Sequence, residues 1–177
     1  MLSAKAFFEK FVSYANKGKT TDYSDNSIWT DYTKCCIKKS LKEINSKIEF
    51  SHEYYRIDTI GWIQRKSELD TGESTLAPHL WDLVAAVEHE NNAKEWLDEV
   101  CKLAYIRCPL RVVIGYGMEH FDEKIAAVKE ILAKTNAFTD DKQEFLIILG
   151  KHKDEFVQGG DNFTYQIIKQ ADIIDEH

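Results

Sequence analysis

The sequence predicts an α/β fold in which a mixed central β-sheet carries helices on both faces. Two helix patterns come first, and three consecutive strand patterns follow them. A helix and a strand come next, and then a further helix and two strands, an order typical of a mixed sheet between helices. With 177 residues and an apolar content of 44%, the chain is long enough to bury one core. We therefore expect a single domain over 1–177.

Two amphipathic helices are predicted at the start of the chain, in a helical part that spans about 1–45. Ser3 can cap the first helix, whose apolar residues recur at helical spacing until Gly18 ends it. The second helix runs from about 27 to 44, and one of its sides is basic because it carries Lys34, Lys38, Lys39 and Lys42. Such a side is either a solvated face or a stripe that meets phosphate groups. The sequence leaves both interpretations open.

The strands are predicted from runs of aromatic, β-branched and apolar residues. These runs lie at about 47–50, 54–63, 81–90, 110–115, 144–149 and 163–168. The polar segment 64–77 has no clear period, so we expect a long loop there, of a kind that is often functional. Asn92 can cap the helix before Pro109, with Glu95 as its capping-box partner. Another helix is expected over about 119–135, at the start of a C-terminal part that spans 118–177.

Composition restricts the class of protein. The net charge of −7 argues against a purely basic nucleic-acid clamp, so any nucleic-acid binding must use a local basic patch or bound cations. No apolar run is long enough to cross a membrane and no signal-peptide core is present, so we expect a cytoplasmic protein with no membrane partner. The four cysteines form no C-x-x-C pair, so we interpret them as reduced thiols that mostly fill the core.

Carboxylates on predicted buried strands are the candidate functional residues. Asp58 lies within the second strand, and Glu88 and Glu90 lie two residues apart at the end of the third, on one face of the sheet. Such oxygen ligands suit Mg²⁺ or Mn²⁺, and a cation held there could activate water beside a phosphodiester. Two plainer interpretations stay open: the glutamates form a solvated strand end, and Asp58 pairs with Arg56 or Arg65.

The spacing of these residues resembles the PD-(D/E)XK (restriction-endonuclease-like) nuclease superfamily. Asp58 is followed after about thirty residues by Glu88-x-Glu90, a capped helix and the strand RVVIGY. The resemblance covers about 27–117 and implies a restriction-endonuclease-like core there. In that superfamily an Asp on the second core strand and a D/E-x-K on the third bind the metal. Here Ile57 precedes Asp58 where the family has Pro, and Glu90 stands at the lysine position, which resembles an E-x-E variant found in a restriction enzyme.

The resemblance implies roles for individual residues. Asp58 and Glu88 would be metal ligands for Mg²⁺ or Mn²⁺, and Glu90 a third ligand or the general base. The lysine function could have moved to Lys94, and Glu43 stands where some members place an extra carboxylate. Nucleic-acid contacts are expected from Arg56, Arg65 and Lys66, together with Lys34 and Lys38. The implied activity is that of a Mg-dependent endonuclease acting on DNA as a homodimer or with a partner subunit. The alternative is a catalytically inactive member of the fold that serves as an acidic binding or regulatory protein.

Overall fold

A six-stranded mixed β-sheet forms the centre of the molecule. The computed structural model describes residues 2–19, 25–65, 81–152 and 154–174. The strands are β1 (Glu49–Tyr54), β2 (Ile57–Gln64), β3 (Trp81–His89), β4 (Leu110–Tyr116), β5 (Glu144–Gly150) and β6 (Phe163–Ile168). They lie side by side in sequence order. The β3–β4 and β4–β5 pairs are parallel and the other three pairs are antiparallel, so the predicted mixed α/β sheet is confirmed.

Helices cover both faces of this sheet. They are α1 (Ala4–Ala15), α2 (Asn26–Ile44), α3 (Trp96–Ala104), α4 (Phe121–Lys134) and the short α5 (Ala171–Ile174). On one face α1 and α2 pack in a core that includes Phe7, Phe11 and Leu41. On the opposite face α3 and α4 pack in a second core that includes Trp96 and Val128. Side chains of β3 and β4 alternate between the two cores, as the period of two in a strand requires.

Local side-chain chemistry sets the ends of several helices. The Ser3 side chain accepts a hydrogen bond from the backbone N–H of Ala6 and caps α1, as predicted. Asp25 caps α2 through the backbone N–H groups of Ser27 and Ile28. The predicted capping box at Asn92 is wrong, because the Asn92 side chain accepts from the nearby Lys94 N–H in a turn that precedes α3.

The hairpin between β1 and β2 differs from the prediction. Tyr54 pairs with Ile57, so the loop consists of Tyr55 and Arg56, later in the sequence than the predicted break between the two strands. Both loop residues have a positive φ, of 49° and 65°. A two-residue turn of this kind matches the twist of the strands, but it favours residues such as Asn and Gly. Bulky Tyr and Arg therefore hid the turn from the sequence pattern.

The cysteines only partly fill the core as predicted. Cys36 and Cys108 are buried, whereas Cys35 and Cys101 are exposed, and all four are free thiols. Three tryptophans contribute to the second core: Trp96 is fully buried and Trp62 nearly so, while Trp81 is half-buried at the start of β3. The predicted loop over 64–77 lies, after Arg65, outside the described residues.

Candidate functional site

Asp58 and Glu88 are brought into direct contact by the register of β2 and β3. Thr59 pairs with Val87, so the next position along each strand places Asp58 beside Glu88. The Glu88 carboxylate accepts a hydrogen bond from the backbone N–H of Asp58 at 3.2 Å. The Asp58 carboxylate in turn accepts from the backbone N–H of His89 at 2.9 Å. Each acid is therefore held by the other's strand, and both belong to one site.

Lys102 of α3 supplies the positive charge at this site. Its ammonium group lies 2.9 Å from Glu88 Oε1 and 2.5 Å from Glu99 Oε2. It also donates a hydrogen bond to the backbone carbonyl of Arg56 at 3.1 Å. One lysine therefore ties the third strand, the helix that follows it and the β1–β2 turn together. We call Asp58, Glu88, Glu99 and Lys102 the carboxylate site.

Burial makes Glu88 an unusually weak acid. Its side chain is only 1% exposed, and the loss of hydration raises its pKa to about 8. The negative charges of Asp58 and Glu99 act in the same direction, while Lys102 opposes them without overcoming the effect of burial. The pKa of Asp58 is also raised, mainly by burial, although the His89 N–H bond partly lowers it. Both acids therefore lie where a bound cation would stabilise their charged forms.

His89 links the carboxylate site to the opposite core. Its backbone N–H binds Asp58, while its buried ring points to the other face of the sheet and lies 2.8 Å (Nε2) from the Tyr116 hydroxyl. The Trp29 indole N–H also donates to that hydroxyl. Burial lowers the pKa of His89 to about 3, so the ring stays neutral. This network fixes the end of β3, and with it the backbone groups that hold Asp58.

Glu90 follows the end of β3 and has its own hydrogen bond. Its backbone N–H donates to the Ile114 carbonyl, and its side chain accepts from the backbone N–H of Asn92 at 2.6 Å. Glu90 lies beyond the last residue of β3, so the alternation of a strand does not fix its side chain on the face of Glu88. Its side-chain hydrogen bond is made with Asn92, and its predicted role as a ligand or base stays a prediction.

The two residues predicted to support the site lie apart from its contacts. Lys94 is exposed in the turn before α3, and the ammonium group that reaches Glu88 belongs to Lys102 instead. Glu43 lies near the end of α2, where its carboxylate binds Lys10 and the Tyr14 hydroxyl of α1. The structure does not bring Glu43 to the carboxylate site.

Most of the basic residues predicted to contact nucleic acid already have acidic or aromatic partners. Lys34 lies 2.6 Å from Glu53, and Arg65 donates to Asp82 at 2.6 Å. The Lys38 ammonium lies 4.6 Å from the centre of the Phe50 ring. Arg56 is exposed at the β1–β2 turn, next to the carboxylate site. Lys66 lies outside the described residues.

The donor chemistry of the site fits a hard divalent cation, although a complete ligand set is not preformed. Within the described ranges, no three His, Cys, Asp or Glu side chains are grouped as a metal site. Asp58 and Glu88 nevertheless place two carboxylates side by side, and oxygens of this type are the ligands that Mg²⁺ and Mn²⁺ prefer. Burial is the main cause of their raised pKa values, and the charges of Asp58 and Glu99 add to it at Glu88. A bound cation would stabilise the charged forms of both acids.

Sequence reasoning missed Lys102 and Glu99. The two residues lie three apart, so they share one side of the helix that follows the carboxylate strand. That spacing was visible in the sequence, but an i, i+3 pair on a helix is ordinarily a solvent-exposed pair. Only the packing of α3 against β3 distinguishes this pair from solvent-exposed pairs with the same spacing.

Two observations bear on the class of protein: the lengths of the helices and the similarity of the chain to known proteins. In the parts of the chain that the structure describes, no helix is both long and apolar enough to span a membrane. Compared with protein families, with curated proteins and with solved structures, the chain gives no match.

Proposed function

We propose that this chain is a metal-dependent nuclease that hydrolyses DNA phosphodiester bonds, with a restriction-endonuclease-like core. The observation that carries the proposal is the contact between Asp58 and Glu88 on neighbouring strands, beside Lys102. Buried acids with raised pKa values in a cluster of charged groups are more common at functional sites than elsewhere. The order α2, three strands, α3 and β4 agrees with the implied core.

Asp58 and Glu88 would hold Mg²⁺ or Mn²⁺ through their carboxylate oxygens. When bound, the cation would neutralise charge on the phosphodiester and make a water molecule more acidic. Lys102 keeps Glu88 in place and balances part of the negative charge, while the His89 N–H orients Asp58. Glu90, one residue beyond β3, is our candidate for orienting the water or accepting its proton. Arg56, Arg65 and Lys66 are candidates for DNA contacts.

The proposal includes a setting for this activity. We place the protein in the cytoplasm, and we expect duplex cleavage to need a homodimer or a partner subunit, because one small domain offers little surface for recognising two strands. An acidic chain must also concentrate its positive charge locally to bind DNA. Lys102 belongs to the carboxylate site, it binds the backbone carbonyl of Arg56, and the charge of Lys34 acts on Asp58.

A second candidate function is binding without catalysis. Lys102 already forms ion pairs with Glu88 and Glu99, and a site of this kind could be stable without any metal. In that case the chain would be an inactive member of the fold with a regulatory role. Binding of divalent cations distinguishes the two, because a nuclease needs it and a silent binding protein does not.

The test is cleavage of plasmid DNA and single-stranded DNA in Mg²⁺ or Mn²⁺, with Glu88→Ala and Asp58→Asn compared with the wild type. We expect metal-dependent cleavage that both variants lose. Glu130→Ala is a matched control, because Glu130 is an exposed acid on α4 paired with Lys134. A folded wild type that binds neither cation by calorimetry and cuts neither substrate would favour the silent binding protein.

A further inference from the structure

An aromatic groove lies beside the carboxylate site on the same face of the sheet. It has a volume of about 290 Å³ and is lined by Tyr54, Tyr55, Ile57, Ile60, Trp81, Leu83 and Ile106. Ile57 directly precedes Asp58, and Ile106 follows Lys102 by four residues. The groove therefore begins where the carboxylate site ends. We call this surface the aromatic groove.

The rings of the groove form a connected series. The Tyr54 ring lies 4.6 Å from that of Tyr55 and 5.4 Å from that of Trp81, between ring centroids. Trp81 in turn stacks on Trp62 at 4.0 Å. Tyr55 is 83% exposed at the end of this series, so its ring is accessible from solvent. Single rings on surfaces are common, but a connected series next to a charged site suggests a ligand that is both flat and charged.

The backbone holds Tyr55 in this position against its own preference. Tyr55 and Arg56 both occupy the left-handed region, which bulky side chains rarely adopt. A hairpin turn built for stability alone would use smaller residues here. The turn instead carries two exposed residues in succession, the aromatic Tyr55 and the basic Arg56. This combination suits a nucleotide, which has a flat base and an anionic phosphate.

We propose that the aromatic groove stacks the bases of single-stranded DNA whose phosphodiester backbone lies at Asp58 and Glu88. This inference rests on the proposed function and specifies its substrate class. Base stacking would add affinity beyond that of phosphate contacts, which suits a chain with a net charge of −7. The bases of intact duplex DNA are stacked on one another and are not open to these rings. The site therefore favours single strands, unpaired ends and flaps.

The binding test uses a short fluorescent single-stranded DNA and the duplex of the same sequence, titrated without Mg²⁺ and with Ca²⁺. We expect the wild type to bind the single strand more tightly than the duplex. Tyr55→Ala should weaken single-strand binding roughly 5- to 100-fold, in the range measured for loss of one stacked base. Tyr55→Phe keeps the ring and should bind as the wild type does. Tyr105→Ala is the matched control, because Tyr105 is exposed but does not line the groove.

The outcomes separate this inference from the proposed function. Cleavage that needs metal and Glu88, with single-strand binding unaffected by Tyr55→Ala, would overturn the groove and leave the nuclease standing. Single-strand binding that needs Tyr55, without cleavage under any metal, would support the groove and contradict the nuclease. Equal binding of duplex and single strand by the wild type would overturn the groove. So would a dimer that Tyr55→Ala dissociates without changing DNA affinity, because a second copy would then occupy the surface.

Discussion

Lys102 Nζ lies 2.9 Å from Glu88 Oε1, so a helix supplies the cation next to the buried acid of β3. Residue 90, which stands at the lysine position of the D/E-x-K pattern that the sequence resembles, is a glutamate. Lys102 contacts Glu88, Glu99 and the Arg56 carbonyl together, which restricts its ammonium group more than a single surface ion pair would. The charge of the site is therefore set by tertiary packing and not by a short sequence motif.

Replacing Lys102 should reduce nuclease activity far more than replacing Lys94. We expect Lys102→Met to lower the rate of metal-dependent cleavage by roughly 10²- to 10³-fold, the usual cost of losing one preorganised electrostatic group. Lys102→Arg keeps the charge and should retain part of the rate. Initial rates of plasmid nicking at saturating Mg²⁺ measure the effect.

Lys94→Met is the matched control, because Lys94 is exposed just before the same helix. Its cleavage rate should stay within a few-fold of the wild type. If Lys94→Met loses activity while Lys102→Met keeps it, Lys94 carries the lysine function and the contact with Glu88 is only structural. Melting temperatures of both variants show whether a loss of rate reflects unfolding.

Removing the Glu88 charge should stabilise the metal-free fold at neutral and alkaline pH. The pKa of Glu88 is about 8 in the folded chain against an ordinary 4.5, so the folded state holds its proton more tightly than the unfolded state does. Stability associated with this group is therefore fully present below pH 4.5 and is lost as pH rises toward 8. Glu88→Gln should gain about 2–5 kcal/mol over the wild type at alkaline pH and almost nothing in acid.

Urea unfolding with EDTA present, measured at a series of pH values, tests this expectation. Lys102 keeps Glu99 as a partner in the variant, so the substitution leaves no unpaired ammonium group. Glu130→Gln on the surface of α4 should show no comparable gain at any pH. A Glu88→Gln chain that is less stable than the wild type at alkaline pH would mean that the Lys102 ion pair outweighs the cost of burying the carboxylate.

His89 should make the fold sensitive to acid. Burial lowers its pKa to about 3 from an ordinary 6.5, so the unfolded chain takes up a proton that the folded chain does not. The contribution of His89 to stability should fall as pH drops from 6.5 toward 3, by up to about 1.4 kcal/mol per pH unit. Because Glu88 acts in the opposite direction above pH 4.5, the two groups together should give a stability maximum in mildly acidic solution.

A non-titrating side chain at position 89 checks the assignment. His89→Gln can still bond to the Tyr116 hydroxyl, and its unfolding free energy should decline less steeply below pH 6.5 than that of the wild type. His52→Gln replaces a histidine at an exposed position on β1, and its unfolding free energy should decline below pH 6.5 as that of the wild type does. If the unfolding free energies of the wild type and His89→Gln decline equally in acid, carboxylates alone cause the loss of stability.

The sheet and the contact between Asp58 and Glu88 were both predictable from the sequence. The continuous apolar runs of β4 and β5 are those of strands covered on both sides, and the structure buries nearly every residue of both. The order of the elements then indicates which strands are neighbours. Once β2 and β3 are adjacent and antiparallel, acids at the start of β2 and at the end of β3 lie at the same end of the strand pair.

Features that depend on exact geometry escaped the sequence. A lysine in an amphipathic helix is common in sequences, and the contact of Lys102 with Glu88 arises only because α3 packs against β3. The Tyr55–Arg56 turn was hidden for a different reason, since neither residue prefers the left-handed region that both occupy. Local propensity predicts the common solution at each position. It fails where the fold holds a residue against that propensity.

Exchanging the strained turn for a favourable one should stabilise the protein and weaken its binding of single-stranded DNA. In the double variant Tyr55→Asn, Arg56→Gly, both residues tolerate positive φ, so the left-handed cost of roughly 1–2 kcal/mol per residue is largely removed. We expect the free energy of unfolding to rise by about 1–3 kcal/mol in urea denaturation. The stacking ring is lost at the same time.

The single variant Arg56→Gly separates these two effects, because it relaxes one residue of the turn and keeps the Tyr55 ring. It should give about half of the stability gain. Loss of the Arg56 guanidinium should weaken the binding of single strand and duplex alike, so the ratio of the two affinities should stay close to that of the wild type. A double variant that is less stable than the wild type would show that the contact of the Tyr55 ring with Tyr54 outweighs the backbone strain. A double variant that is more stable and binds DNA unchanged would mean that the strain serves something other than the presentation of Tyr55. Gained stability with lost affinity would show that the turn is kept for binding, because no loss of folding could explain the weaker complex.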